Sequence, residues 1–393
     1  MSIRASDWQK RVVLLLVIVL ATVAALDQFT PPNVVPSSAP PGDFSAERAM
    51  EHLKIIAREP RPLGSQANAD VRDYLIDTLS SMGLSPEIQT TTDVQRWPGS
   101  DIFQVGTVHN VVVRLPGTES TRAILLDAHY DGSAVGPAAS DCGSCVVTLL
   151  ETLRALKAGP PLKNDIIFVF TDGEENGDIG AAAFASEHHF MKDVGLAINF
   201  EALGSRGPAQ LYVTSQKNGW LMDQFFKAAP YPLASSFFTD LMGFFPGARP
   251  GCDLEEYMDR GRAGFAFLYA GDTSAYHTMR DNVEVIDPRS IQHQGSYALS
   301  LARHFGNMDL NAMPDKPNAV FFNVFRNVTV YYSGSWIIPL AVFTSSMFML
   351  IIVLGFYRKH LTVSGLISGA FAFLFSVVIT MLLVIVVWQA VRT

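Results

Sequence analysis

Cysteine is scarce in this chain of 393 residues. Its three cysteines, Cys142, Cys145 and Cys252, are too few for a disulfide framework. The pair Cys142 and Cys145 also lacks the second pair, or the histidines, that a structural zinc site would need. Charge is sparse as well: 17% of residues are charged and they sum to −8. That balance carries no basic excess of the kind that holds a nucleic acid, which excludes such a partner. No internal repeat or low-complexity tract appears in residues 45–310.

What the chain does contain is apolar runs, and they fall into two kinds. The first kind is long. Arg4, Lys10 and Arg11 precede an uncharged run over 12–26, about 22 Å as a helix and short for a span. It reads as either a signal anchor or a signal peptide cleaved after Ala25. Residues 337–356 carry no charge and would extend about 30 Å, and 361–388 is longer; both read as transmembrane helices. The loop between them, Tyr357-Arg358-Lys359-His360, matches the amino terminus in positive charge. The positive-inside rule puts both on the cytoplasmic side and the segment 45–310 in a lumen, the periplasm or the exterior.

The second kind is short and alternates with helical periodicity. After a Pro- and Ser-rich linker over 27–44, helices are expected over 45–56 and 68–82, with Gly83 closing the second. Strands follow at 110–115, 123–127, 165–171 and 196–200, and helices at 146–156 and 181–190. The alternation predicts an α/β three-layer sandwich with a mostly parallel central sheet. A connector over 311–336 leads to the carboxyl-terminal spans. In such a sheet the ligand site lies at the carboxyl ends of the strands.

Chemistry-bearing residues stand at those ends. Phe168-Val169-Phe170-Thr171 runs into Asp172-Gly173-Glu174-Glu175-Asn176-Gly177, two adjacent acids on a glycine-flanked turn. Adjacent side chains on a strand diverge, but on a turn both can converge on one site. His129 ends another apolar run, with Asp131 two residues on, able to accept the imidazole's second N–H. Asp141 precedes a helix, where it either caps the helix or bridges two metals. Glu201 ends a strand, and His277 sits between Tyr276 and an acid at Asp281. The other histidines, His52, His109, His188, His189, His293, His304 and His360, read as surface or structural residues. Two histidines, one shared aspartate and two glutamates suit two zinc ions with open positions for water, leaving one glutamate over.

The order His-x-Asp, Asp-x-x-Ser, Glu-Glu-x-Gly, a strand-end acid and Tyr-His-Thr resembles the two-zinc exopeptidases of peptidase family 28 (clan MH). Arg61-Pro62-Leu63-Gly64-Ser65 is similar to the membrane-bound branch, called endoplasmic reticulum metallopeptidase and vacuolar membrane protease. The likeness covers about 45–304. It implies that His129 and Glu201 hold one zinc, Glu175 and His277 the other, and that Asp141 bridges them. It further implies Glu174 as the general base toward a bridging water, Tyr276 as donor to the oxyanion, and Asp131 as orienter of His129.

Three positions depart from the family pattern. Cys142 stands where Asp or Asn is usual, Cys145 where Gly is usual, and Asp178 where Leu is usual. Thiols beside the bridging aspartate would alter metal preference or make the site oxidisable. The activity expected is zinc-dependent aminopeptidase cleavage of peptides by a membrane-anchored chain. A catalytically silent receptor or scaffold, and a zinc amidohydrolase or glutaminyl cyclase, are the alternatives. The loop 241–258, with Phe244, Phe245 and Tyr257, either lines a specificity pocket or packs. Asn327-Val328-Thr329 fits a glycosylation sequon.

Overall fold

A computed structural model describes residues 7–96, 101–237, 239, 251–326 and 328–392. Phe244, Phe245 and Asn327 lie outside the described residues. The chain divides into two compact units, Met1–Ser333 and Gly334–Thr393.

The first unit is built on a seven-stranded sheet of order β1-β2-β4-β3-β5-β7-β6. Its strands are β1 (Glu87–Arg96), β2 (Phe103–Leu115), β3 (Ala123–His129), β4 (Ile166–Thr171), β5 (Val194–Ala202), β6 (Gln210–Thr214) and β7 (Ala263–Tyr269). The four central strands, β4, β3, β5 and β7, run parallel. Antiparallel strands flank them on both sides. All residues of β3, β4 and β5 are buried, so they read as unbroken apolar runs rather than alternating ones.

Period-two geometry nonetheless sorts their side chains. Ile166, Phe168 and Phe170 join one core with Leu126, Ile198, Phe200 and Phe267, while Ile167 and Val169 join the other with Leu125, Ala197 and Ala266. The first core is covered by helices Ala46–Ile56, Cys145–Lys157 and Pro288–Phe305, and the second by Ile179–Glu187 and Leu254–Asp259. Each fully buried Phe, Leu or Ile contributes about 1.5–3 kcal/mol relative to exposure. This is the expected three-layer sandwich.

Helix starts follow the sequence signals. Ser45 Oγ accepts the Arg48 N–H at 3.3 Å, and Ser65 Oγ accepts the Asn68 N–H at 3.1 Å to start Gln66–Ser81. Gly83, at φ +73, ends that segment. The residues of 27–44 lie along the domain: Val35 N–H donates to Gln292 Oε1 at 3.0 Å and Arg48 reaches the Ser37 carbonyl at 2.7 Å. Within 311–336 the chain forms a hairpin, β8 (Ala319–Phe325) and β9 (Val328–Ser333).

Among the described residues, three helices are long and apolar enough to cross a membrane: Trp8–Asp27 in the first unit, and Gly334–Tyr357 and Val363–Ala390 in the second.

Candidate active site

The central parallel strands deliver the site. His129 is the last residue of β3, Glu174 and Glu175 follow β4, Glu201 is the penultimate residue of β5, and His277 follows β7. Parallel strands end on the same edge of a sheet, so four segments far apart in sequence converge there.

The Glu174–Glu175 turn is held from both ends. Gly173 and Gly177 adopt φ of +78 and +86, which L side chains rarely do. A Cβ on Gly173 would also stand 3.2 Å from Val108 and 3.3 Å from Leu63, so Leu63 of the Arg-Pro-Leu-Gly-Ser motif packs against the turn. Asp131, fully buried, accepts the backbone N–H groups of Glu174 and Glu175. The same carboxylate lies 3.4 Å from His129 Nδ1.

Asp141 divides its two oxygens. Oδ1 is 3.4 Å from His129 Nε2, and Oδ2 is 3.0 Å from His277 Nε2. On one side Glu201 Oε2 stands 3.5 Å from His129 Nε2; on the other Glu175 Oε2 stands 3.0 Å from His277 Nε2. The result is two groups of side chains that could hold a metal, His129-Asp141-Cys142-Glu201 and Asp141-Glu175-His277, with Asp141 in both. Glu174 Oε2 lies 3.7 Å from His129 Nε2. Tyr276 stacks on His277 with ring centroids 3.8 Å apart, and His277 holds a left-handed φ of +53. All eight residues singled out in the sequence therefore meet in one place.

Electrostatics fit a site built for cations. Asp141 and Glu175 push His277 up to about 10. Burial would lower His129, but Glu174, Asp131, Asp141 and Glu201 outweigh it and raise the imidazole well above its ordinary value. Burial raises Glu174 strongly, against the pull of His129 and with Glu201 and Asp178 adding to the rise. Burial also raises Glu201. His129 Nε2 and Glu175 Oε1 are buried without a hydrogen-bond partner. Orphaned nitrogen and oxygen atoms, one in each of the two groups, suit a borderline divalent cation such as zinc.

Several supporting contacts escaped the sequence reading. Asp281 accepts the Ser140 N–H at 2.7 Å and the Asp141 N–H at 3.1 Å. Arg61 is fully buried, and its guanidinium donates to the carbonyls of Tyr130 at 2.6 Å, Ala138 at 2.9 Å and Pro137. Asn199 Nδ2 donates to Glu201 Oε1 at 3.1 Å, which leaves Oε2 to face His129. Its other contact is Asp127 Oδ2, also at 3.1 Å. Asp127 and Asp253 form a buried acidic layer beneath the site; burial and then Glu201 push Asp127 up to about 7. The motif Arg61-Pro62-Leu63-Gly64-Ser65 and the acid at Asp281 were visible in the sequence, but their partners were not.

The cysteines correct one expectation. Cys142 and Cys145 are joined by a disulfide, so the site has no thiols beside Asp141; each sulfur's lone valence is spent on the other. Cys252 is free and buried. Tyr257 is fully buried and packs edge-on against Phe184. Of the remaining histidines, His52 contacts Tyr74, His293 contacts Ala209 and Tyr231 and His304 contacts Gln224, while His188 and His189 stand beside Glu87 in a further group that could hold a metal. A cavity of about 360 Å³ opens beside the site, lined by Gln104, Glu174, Asp178, Glu256, Tyr276 and His277 among others.

Residues 110–302 match the family model described as Peptidase family M28. The chain is 30% identical over 345 residues to endoplasmic reticulum metallopeptidase 1 of Mus musculus, covering 82% of this chain and 38% of that protein. It is 28% identical over 360 residues to vacuolar membrane protease of Eremothecium gossypii, covering 86% of this chain and 35% of that protein. The chain thus spans less than half the length of these curated relatives. Among solved structures, an aminopeptidase from Aneurinibacillus sp. strain AM-1 superposes with a TM-score of 0.54 at 13% identity, covering 70% of this chain and 95% of that one. A glutaminyl cyclase of Porphyromonas gingivalis gives 0.53 at 20% identity, covering 67% and 98%. These structural likenesses concern the fold.

Proposed function

The chain carries a domain of peptidase family M28, and from that premise we propose that it is a membrane-anchored di-zinc metallopeptidase, an aminopeptidase cleaving the first peptide bond of its substrate. The observation that carries the reading is the division of Asp141, one oxygen toward His129 and the other toward His277. His129 and Glu201 would hold one ion, Glu175 and His277 the other, with Asp141 shared. Two zinc ions so held would polarise the scissile carbonyl and make water nucleophilic at neutral pH.

The chain's own residues supply the rest. Glu174, raised by burial, takes a proton from the attacking water and returns it to the leaving amine. Tyr276 donates its O–H to the carbonyl oxygen as negative charge builds there. Asp131 sets the His129 ring and the Glu174–Glu175 backbone in one frame. Asp281 fixes the approach of Asp141. The positive loop at 357–360 belongs to the cytoplasmic face, so hydrolysis takes place in a lumen, the periplasm or outside the cell.

The test is the full chain in detergent or vesicles, loaded with zinc and profiled against aminoacyl amides, N-blocked peptides and N-terminal glutaminyl peptides. Release of the first residue from free amino termini, with about two metal equivalents bound, is the expected result. Cyclisation without release would make it a glutaminyl cyclase. Less than about one equivalent of metal with no turnover would make it a silent scaffold.

A further inference from the structure

The disulfide at Cys142 has no part in the chemistry described, yet it stands next to the shared aspartate. Both of its cysteines are fully buried. Cys142 Sγ lies 3.7 Å from Glu201 Oε2. The ligand atoms of His129, Asp141, Cys142 and Glu201 all fall within 4.8 Å of one another.

Those spacings describe a particular shape. Zinc bonds of about 2.0–2.3 Å place tetrahedral ligand atoms about 3.3–3.8 Å apart. The separations here are 3.4 Å from His129 to Asp141, 3.5 Å from His129 to Glu201, and 3.7 Å from Cys142 to Glu201. The sulfur, 3.7 Å from Glu201 Oε2 and within 4.8 Å of the His129 and Asp141 ligand atoms, therefore stands within reach of a fourth-ligand position. A zinc with four protein ligands is a closed, structural site, whereas catalysis needs a position left open. Only a thiolate serves as the ligand, and a sulfur bonded to another sulfur is none.

We propose that the Cys142–Cys145 disulfide keeps the His129-side metal position open, by holding Cys142 as a sulfur that cannot ligate. With Cys145 absent, Cys142 becomes a thiol beside the ligand shell, releases its proton to solvent as the metal takes the thiolate lone pair, and completes a His-Asp-Cys-Glu site. The proposal rests on the zinc reading above. It assigns the disulfide a role in coordination rather than only in holding the loop before helix Cys145–Lys157.

Cobalt-substituted full-length chain tests it, because cobalt–thiolate bonds give a near-ultraviolet charge-transfer band that nitrogen and oxygen ligands do not. Three proteins are compared: wild type, Cys145→Ser, and the double variant Cys142→Ala with Cys145→Ser. Cys252 is common to all three. The expected result is no band in wild type, a band worth one sulfur in Cys145→Ser, and slower metal loss to a chelator in that variant. Hydrolysis by Cys145→Ser falls about tenfold or more, and the double variant, lacking both thiol and disulfide, recovers most of that loss.

Cobalt uptake by Cys145→Ser without the band overturns the proposal while leaving the zinc reading standing. A double variant as impaired as the single one also overturns it, since the loss then follows the disulfide's structural absence. A wild type that takes up no cobalt overturns the zinc reading itself, and this inference with it.

Discussion

Asp131 accepts the backbone N–H of Glu174 at 3.2 Å. The contact ties the acid assigned to proton transfer to the carboxylate that faces His129, so the ring and the turn cannot shift independently. Asp131→Asn keeps the shape but places an amide donor against N–H groups. A fall of roughly 10- to 100-fold in kcat/KM and in zinc affinity is expected, read by steady-state kinetics and competition with a chelator.

Glu174 and Glu175 are neighbours in sequence for which separate tasks are proposed. Glu174→Gln is expected to keep both metals and lose about 10²- to 10⁴-fold in kcat. Glu175→Gln removes a charged contact to His277 and is expected to lower metal occupancy. Metal analysis beside kinetics separates the two; a Glu174→Gln protein with undiminished turnover would remove it from the base's role.

Arg61 gathers three carbonyls in the interior, and each orphaned acceptor costs about 1–3 kcal/mol. Arg61→Met is therefore expected to destabilise the first unit by about 3 kcal/mol or more, seen as a lower unfolding midpoint in denaturant. Burial lowers the guanidinium pKa while Asp131, Asp281, Asp141 and Glu175 hold it up, so the substitution also removes a counter-charge from the site.

His277 titrates in the metal-free chain at about 10, held there by Asp141 and Glu175. Its folded pKa lies above the ordinary 6.5, so its contribution to metal-free stability is complete below about 6.5 and is lost as pH rises through about 10. On the proposed assignment of His277 to a zinc ion, the metal displaces that proton, so affinity is expected to rise with pH across the same window and binding to release protons. Melting the metal-free chain between pH 6 and 10, and calorimetric zinc titration in buffers of different ionisation enthalpy, check both signs.

Much of this architecture is legible without coordinates, for a physical reason. His129, Glu174, Glu175 and Glu201 end or follow apolar runs, and a charged group at the end of a buried strand needs a partner. The sheet was legible where its strands are wholly buried. β1, with its run of polar residues and mostly exposed faces, carries no such contrast, and it takes its place only by pairing with β2. Asp281 illustrates the other limit: its partners Ser140 and Asp141 are local in space but remote in the chain. For Cys142 and Cys145, spacing alone does not distinguish two thiols from a bond; the backbone path before Cys145–Lys157 brings the sulfurs together.

The shared edge of β4, β3, β5 and β7 also makes the site a late product of folding. Asp141 has both its partners only when His277, delivered after β7, joins His129 from β3, and a one-residue slip in any of these strands would send its side chains to the opposite face. A nascent chain emerging amino terminus first holds most of the ligands before it holds the last. The peptidase chemistry proposed here would thereby be withheld from incompletely folded molecules, and metal uptake at both proposed positions would serve as a readout of a finished domain.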